Sequence, residues 1–551
     1  MYGKSRSELL EQAQQQEFDV LVIGGGIVGA GVALDAISRG LSVLLLEKDD
    51  FASGTSSRTS KLVHGGLRYL EQRQFKLVME LSAERAVLEK LAPHMVQDIS
   101  FALPFPSRAP LFALKALAGL TVYDLMSWSL QHRSHRRLSH RQMMDLCPSL
   151  SAQAIGGGAR FYDCMTDDSR LVLEVAKTAC KLGAVALNYV AVQDFHVRDG
   201  AVTGAICLDR YQGKSLSVRC KTCINATGVW IDSSYRKLKS DWVNCVIPSK
   251  GTHIVVPQSA LGTNTGLFLP TDDQRYVFVI PWQHAVIIGT TDRVYSGDLD
   301  HVRPTIEEVD YLLYQVNRYI GRGHLTCEDV IACWSGLRPL AGDTHMTADT
   351  NSVSREQLVF EGPNGTVGIV GGKLTNFRII AAQAVDMLRH HFTDRNLKDS
   401  RTDKIMLGGW ANTNDYLAAS AHISARARRL SIEPATVDHL LSTYGTDADK
   451  ILDLIEADHD LNEKICLDFP PLLAEIPFSV RNEMVVSLED MLMRRLRLGM
   501  LDQHQCLEAA PVVAEIMADE LGWDRIREKL ELSTFEKLLD EHLAILTASV
   551  N

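Results

Sequence analysis

Several things are scarce in this 551-residue chain, and each scarcity removes a class of function. No apolar run reaches the roughly 18 residues that a membrane-spanning helix needs. No apolar segment precedes Phe18, so the start "MYGKSRSELLEQAQQQEFDV" does not read as a secretory signal. Basic residues are in deficit, 57 Lys and Arg against 68 Asp and Glu, and a formal charge of -11 argues against general nucleic-acid binding. The 11 cysteines are scattered over a chain too long to need disulfide staples. The lone CxxC, Cys220 and Cys223, sits in the strand-like "VRCKTCINATG", where residues three apart point to opposite faces. It reads as two structural thiols in a reduced, intracellular protein. There is no CxxCxxC cluster for an iron–sulfur relay and no CxxCH for haem. No metal site is expected.

What is present points to a multidomain globular protein, with 46% hydrophobic and 23% charged residues. "FDVLVI" at 18–23 is a short apolar strand, followed by glycines, the helical rhythm of "VALDAISRG" and a second apolar run in "LSVLLLEKDD". Strand, glycine turn, helix, strand opens a doubly wound sheet. A helix is expected over 76–92, and another over 169–183 with Ser169 as its cap and Gly183 as its end. From there to about 300 the chain is mostly strand-like. "GTVGIVGGKLTNFRII" repeats the opening logic, with a strand entering Gly371-Gly372 and a helix starting near Thr375, and would return the chain to the first sheet. Beyond about residue 400 helical periodicity takes over.

These elements predict an α/β Rossmann-like domain, a β-rich domain and an all-helical C-terminal domain. The boundaries are 17–100 for the first part of the Rossmann-like domain, 101–165 for a helical insertion, 166–235 for its second part and 236–350 for the β-rich domain. The chain then returns to the Rossmann-like domain over 351–400 and ends in helices over 410–551.

Gly24, Gly26 and Gly29 satisfy GxGxxG directly after a strand and before a helix, and Glu47 follows 23 residues after Gly24 at the end of the next strand. That spacing serves a dinucleotide: a tight turn, backbone near a pyrophosphate, helix N–H groups on phosphate and a carboxylate on a ribose. Ile27 and Lys48 belong to the same unit. The continuation "FASGTSSRTSKLVHGG" favours FAD over NAD, because hydroxyls and backbone groups there can reach both pyrophosphate and ring. Thr55, Ser56, Ser57, Ser60, Lys61, His64, Gly65 and Gly66 are the candidates. Ala226-Thr227-Gly228 and Gly372-Lys373-Leu374-Thr375 add two more glycine turns at strand ends, suited to one extended cofactor.

Nine ordered blocks then carry a resemblance: "VIGGGIVGAGVALDAISRGLSVLLLEKDD", "GTSSRTSKLVHGGLRYLE", "DDSRLVLE", "INATGVW", "KGTHIVVP", "YVFVIPW", "IIGTTD", "WSGLRPL" and "GGKLTNFR". The chain resembles the FAD-dependent glycerol-3-phosphate dehydrogenases, membrane-associated respiratory enzymes with soluble oxidase relatives. The likeness is strong over roughly 17–385 and looser beyond. It implies that the Rossmann-like domain is an α/β FAD-binding domain and the β-rich one an antiparallel substrate or capping domain. It implies oxidation of glycerol 3-phosphate to dihydroxyacetone phosphate through FAD, with a quinone as acceptor and oxygen the alternative. It also implies a peripheral place on the cytoplasmic face of the cell membrane and association as a homodimer. Some relatives carry calcium-binding EF-hands; no DxDxDG loop occurs here, so calcium regulation is not expected.

A dianionic phosphate calls for arginine and lysine. By the resemblance, Arg338, Arg355 and Lys373 surround the phosphate, with Arg68 and Tyr69 near flavin and substrate. Most of the 57 basic residues are solvated surface cations, but these recur at glycine- or proline-marked turns. A carboxylate substrate would need fewer cations, and a non-enzymatic flavin scaffold would leave their recurrence unexplained. The hydroxyl proton needs a base, and histidine is suited to that near neutrality. His253 is preferred, His64 is the rival, and an arginine field from Arg68 or Arg338 is the third option. Thr375, at its helix start, is expected near the negative charge of reduced flavin. Residues 105–137 mix leucines, Phe112 and Trp128 with Arg133, Arg136 and Arg137, as an interfacial surface does, or as an ordinary packed insertion would. "MLMRRLRLGM" at 491–500 is a second basic-apolar patch.

Overall fold

The computed structural model describes residues 3–127, 133–342 and 357–547. Two sheets and a helical layer account for them. The first sheet has the order Leu358–Glu361, Val367–Val370, Lys214–Asn225, Glu17–Ile23, Val43–Leu46, Val185–Leu187. Its five inner and right-hand strands run parallel. Phe18 to Ile23 and Val43 to Leu46 are all buried, as unbroken apolar strands covered on both faces must be. Helix Ile27–Ser38 covers one face and packs on helix Phe377–Asp386. A Cβ on Gly31 would stand 2.6 Å from the Phe377 ring, so that glycine permits the close approach. Val367–Val370 lies in this first sheet beside Lys214–Asn225, and the helix Phe377–Asp386 that follows packs on its face.

The second sheet has ten strands and is antiparallel except where Gly266–Pro270 meets Gln97–Pro106. Towards one end of it, Val246–Pro257 pairs along nearly its whole length with Ala332–Ala341. Segment 101–165, expected as a helical insertion, is different. It holds the long helix Pro110–Ser127, but Gln97–Pro106, Arg136–Ser139 and Ile155–Met165 are strands of this sheet. Phe101, Leu103 and Phe105 point into one core and Ala102 into another, a period of two that Pro104 and Pro106 disguise in the sequence.

Two helix boundaries also differ from expectation. The helix expected at 169–183 spans Asp168–Lys181, capped by the Asp167 carboxylate, which accepts from the Arg170 amide at 3.1 Å, and not by Ser169. The helix expected from Thr375 begins at Phe377. In the helical region beyond residue 400, Glu475–Glu483 ends at a left-handed Met484, and a π-helical turn spans Asp490–Arg495. Residues 491–500 are all buried, so they form no surface patch. Their arginines turn inward to carboxylates, which is what an internal basic run must do. Cys220 and Cys223 are buried free thiols.

Candidate active site

The site consists of two cavities that share a wall. The first, of about 470 Å³, lies at the ends of the parallel strands. Gly24, Gly26, Ile27, Glu47, Lys48, Thr55, Ser56, Ala226, Thr227, Gly228, Gly372, Lys373 and Leu374 all line it. Backbone proximity explains the glycines. Gly24 has φ +107°, and a Cβ there would stand 2.5 Å from the Ala226 carbonyl oxygen. A Cβ on Gly29 would stand 1.8 Å from the Gly24 carbonyl oxygen. Gly29 does not line the cavity; it lets helix Ile27–Ser38 begin directly against the turn. Gly26 gives that helix no side-chain cap, and Ser56 Oγ accepts from the Ile27 amide at 3.0 Å. The helix start is therefore open to an anion.

Glu47 is buried and accepts from the amides of Gly25 (2.6 Å) and Asp49 (3.0 Å). Burial outweighs those bonds and pushes its pKa up to about 7. Lys48 lies 4.3 Å from the Trp230 ring and pairs with Asp300, closing one end. An elongated cavity with an open helix start, a recessed carboxylate and three glycine turns fits FAD.

The second chamber, of about 250 Å³, lies under the antiparallel sheet. Thr55, Gly372, Lys373 and Leu374 border both cavities. Arg68, Tyr69, His64, Gly66, Ser60, His253, Arg338 and Thr375 complete much of the lining. Register sets the main elements. His253 pairs with Trp334, Gly251 with Gly336 and Ser249 with Arg338, so these residues share one face. Arg338 lies across Gly251, where a Cβ would come within 2.4 Å of its guanidinium. It donates to Thr290 Oγ1 (3.0 Å) and the Thr291 carbonyl (3.3 Å), and stands 3.6 Å from Asp292. Lys373 Nζ lies 5.0 Å from the centre of the Tyr69 ring and the Arg68 guanidinium 5.7 Å from it. A Cβ on Gly66 would strike the Tyr69 ring at 2.3 Å, so that glycine seats the tyrosine. The His64 amide donates to Thr375 Oγ1 at 3.1 Å, tying two of the glycine turns together.

His253 is 2% exposed, stacks on Trp334 at 5.3 Å and places Nε2 2.9 Å from Ser60 Oγ. Burial first, then the charges of Arg338 and Lys61, push its pKa down to about 3, so it is neutral at pH 7. Its Nδ1 has no hydrogen-bond partner among the described residues. Burial also lowers the pKa of His64.

Four expected cofactor residues stand elsewhere. Lys61 is completely buried and its Nζ is bound to Asp168 (2.8 Å) and the Ser57 carbonyl (3.1 Å), away from both cavities. Its pKa is pushed down to about 8 by burial and by Arg497. A lysine beside hydroxyls suggested a phosphate ligand; the partner it found is a carboxylate far along the chain. Ser57 turns inward with it. Gly65 lies behind the chamber, with its amide on Asp163 Oδ1 (3.1 Å) and the Tyr123 hydroxyl against it. Gly29 acts through packing alone. Arg355 and Trp128 fall outside the described residues.

Sequence reasoning missed Arg275, which lines the chamber and donates to the Asp292 carbonyl at 2.7 Å. It also missed Asp163, which accepts from Gly65, Arg85 (2.6 Å) and Tyr123 (2.8 Å) beneath the His64–Gly66 turn. Arg275 stands immediately before the "YVFVIPW" strand, and that position was its only signal.

A family model described as FAD dependent oxidoreductase matches residues 19–370. A second, described as the C-terminal domain of alpha-glycerophosphate oxidase, matches residues 400–528. Fold, cofactor cavity and the first of these matches define an FAD-dependent oxidoreductase. The chain is 32% identical over 544 residues to the aerobic glycerol-3-phosphate dehydrogenase of Bacillus subtilis, covering 97% of each. It is 34% identical to the human mitochondrial glycerol-3-phosphate dehydrogenase, covering 97% of this chain and 74% of that protein. The solved glycerol-3-phosphate dehydrogenase of Bacillus halodurans, complexed with FAD, superimposes with a TM-score of 0.78 at 30% identity, over 98% of this chain and 97% of that one. The chain belongs to the FAD-dependent glycerol-3-phosphate dehydrogenase family.

Proposed function

We propose that the chain oxidises sn-glycerol 3-phosphate to dihydroxyacetone phosphate and delivers the electrons to a membrane quinone. The carrying observation is the convergence of Arg68, Arg275, Arg338 and Lys373 on one small chamber that shares the Gly372–Leu374 wall with the cofactor cavity. Bound FAD supplies the two-electron oxidant that takes hydride from C2 of the alcohol.

The chain's own residues do the rest. Arg338, held from behind by Thr290, Thr291 and Asp292, presents a fixed fork to phosphate oxygens. Lys373 and Arg68, both close to the Tyr69 ring, supply further positive charge. Arg355 is proposed as an additional phosphate ligand. His253 accepts the C2 hydroxyl proton, with Ser60 Oγ aligned on Nε2. A histidine of such low pKa is a weak base in the empty chamber. A dianion against Arg338 offsets one of the charges that depress it, so substrate binding itself raises the basicity of His253.

Electron delivery requires reaching a lipid-dissolved acceptor. No helix among the described residues is long and apolar enough to cross a membrane. Helix Pro110–Ser127 exposes Leu111 (63%), Leu114 (65%) and Leu125 (71%), and the adjoining helix Phe75–Leu91 exposes Phe75 and Met79. Arg108, Lys115, Arg136 and Arg137 flank this patch and are suited to anionic lipid headgroups. It is proposed as the peripheral attachment on the cytoplasmic face.

The test is an anaerobic absorbance titration of the purified holoprotein. Glycerol 3-phosphate, and not glycerol, should bleach the oxidised-flavin band near ~450 nm. A yellow protein that stays oxidised overturns the substrate. Turnover that consumes oxygen stoichiometrically and ignores a soluble quinone overturns the acceptor.

A further inference from the structure

The proposed reaction gives the C-terminal helical domain no task, yet that domain reaches the back of the site. Immediately after the π-helical turn Asp490–Arg495, Arg497 adopts a left-handed conformation (φ +65°) that few non-glycine residues occupy. Its guanidinium passes into the FAD-binding domain. One nitrogen donates both to Asp168 Oδ1 at 2.8 Å and to the Ser57 carbonyl at 3.0 Å; the other donates to the Met493 carbonyl at 3.0 Å. Lys61 Nζ meets the same two acceptors, Asp168 at 2.8 Å and the Ser57 carbonyl at 3.1 Å. Asp168 closes the circle by accepting from the Thr59 amide (2.9 Å) and hydroxyl (2.8 Å).

The object gripped is the short segment Thr55–Lys61. From it, Ser56 meets the start of the cofactor-binding helix, Ser60 meets His253, and Thr55 and Thr59 border both cavities. Two residues away along the π-helical turn, Arg494 and Arg495 both bind Asp50, at 2.8 and 2.7 Å, just after Glu47.

We propose that Arg497 is a positioning residue for the oxidation. Through Asp168 and the Ser57 carbonyl it fixes the segment that holds cofactor and proton acceptor in register, so the C-terminal domain completes the active site from behind. Removing Arg497 leaves Lys61 and Asp168 as a neutral pair. Asp167, 3.4 Å from its Nε, loses an ion-pair partner but is partly exposed and still accepts from the Arg170 amide, so no fully buried charge is left alone and the variant is expected to fold.

This rests on the proposed oxidation only for its kinetic part. The experiment compares R497M and R497K with wild type, and with R426Q in an exposed ion-pair cluster of the same domain, as holoproteins and after FAD removal. R497M is expected to bind FAD at least 10-fold more weakly, by flavin-fluorescence titration of the apoprotein. Its kcat should fall at least 10-fold while KM for glycerol 3-phosphate moves less than 3-fold, because Arg68, Arg338 and Lys373 sit on other segments. R497K, which can keep one of the bonds, should recover part of both losses, and R426Q should show neither. If R497M lowers thermal stability but keeps wild-type FAD affinity and kcat, the residue is merely structural and the proposal is overturned. A rise in KM alone overturns it too. Should R497M not fold, the same criteria apply to R497K. Should glycerol 3-phosphate prove not to be the substrate, FAD affinity still decides the matter.

Discussion

Gly29 and Arg338 represent two ways of building a binding site in one molecule. The cofactor cavity is made by backbone that comes close to backbone: Gly24 on Ala226, Gly29 on Gly24, with an uncapped helix start between them. Its specificity is spread along the chain trace. The substrate chamber is made by long side chains carried into place by strand register and braced from behind, as Arg338 is by Thr290, Thr291 and Asp292. A backbone site fails when anything is added; a side-chain site fails when something is removed.

That contrast can be broken by experiment. The largest effect is expected from Gly29→Ala, whose Cβ cannot coexist with the Gly24 carbonyl 1.8 Å away, so purified protein should contain essentially no flavin. Normal flavin content would show that the turn yields and that the cavity is not a backbone device. Next, Arg338→Met should lower kcat/KM for glycerol 3-phosphate about 10²–10³-fold, as loss of a charge-assisted fork does, with full flavin content. Loss of flavin instead would merge the two cavities into one unit. His253→Gln should lower kcat about 10²-fold, the usual scale of acid–base catalysis, with KM little changed. An unaltered kcat would transfer the base role to His64 or to the arginine field.

The smallest effect separates the cavities by the sign of their titration. Glu47 is raised to about 7 by burial, so its contribution to stability is present below about 4.5 and is lost as pH rises through 7. His253 is depressed to about 3, so its contribution is present above about 6.5 and is lost as pH falls toward 3. In unfolding followed against pH on the apoprotein, Glu47→Gln should flatten the curve between about 4.5 and 7, and His253→Gln should flatten the acid limb below about 6.5. His94 and His542, both depressed to about 4 by burial, keep part of that limb. The same change in slope from both substitutions would contradict the assignment.

The two sites also differed in how readable they were. The glycine turns of the cofactor cavity were legible in the sequence, because close backbone approach demands glycine and glycine is visible: Gly24, Gly26, Gly228 and Gly372 line it, and Gly29 packs behind it. Lys373 was legible for the same reason, through the turn beside it; Arg338, expected at a turn, lies within the strand Ala332–Ala341. Arg275 and Asp163 were not, because nothing local distinguishes a braced arginine or a buried carboxylate from a solvated one. Lys61 was misread because its partner, Asp168, is more than a hundred residues away and its second neighbour, Arg497, is in another domain. The fold was legible where period and burial agreed. It failed at 101–106, where prolines interrupt a strand that is covered on both sides.

The first sheet is sewn from three distant lengths of chain: Glu17–Ile23, Lys214–Asn225 and Val367–Val370. A ribosome delivers them in that order. The nucleotide cradle opened by Gly24 lacks its Gly372 wall until that turn has been made, and the segment Thr55–Lys61 has no grip from Arg497 until residue 497 exists. Capture of FAD therefore waits on chain hundreds of residues beyond the first glycine turn, and until then the growing chain carries unpaired parallel strand edges, the hallmark of slow, aggregation-exposed folding.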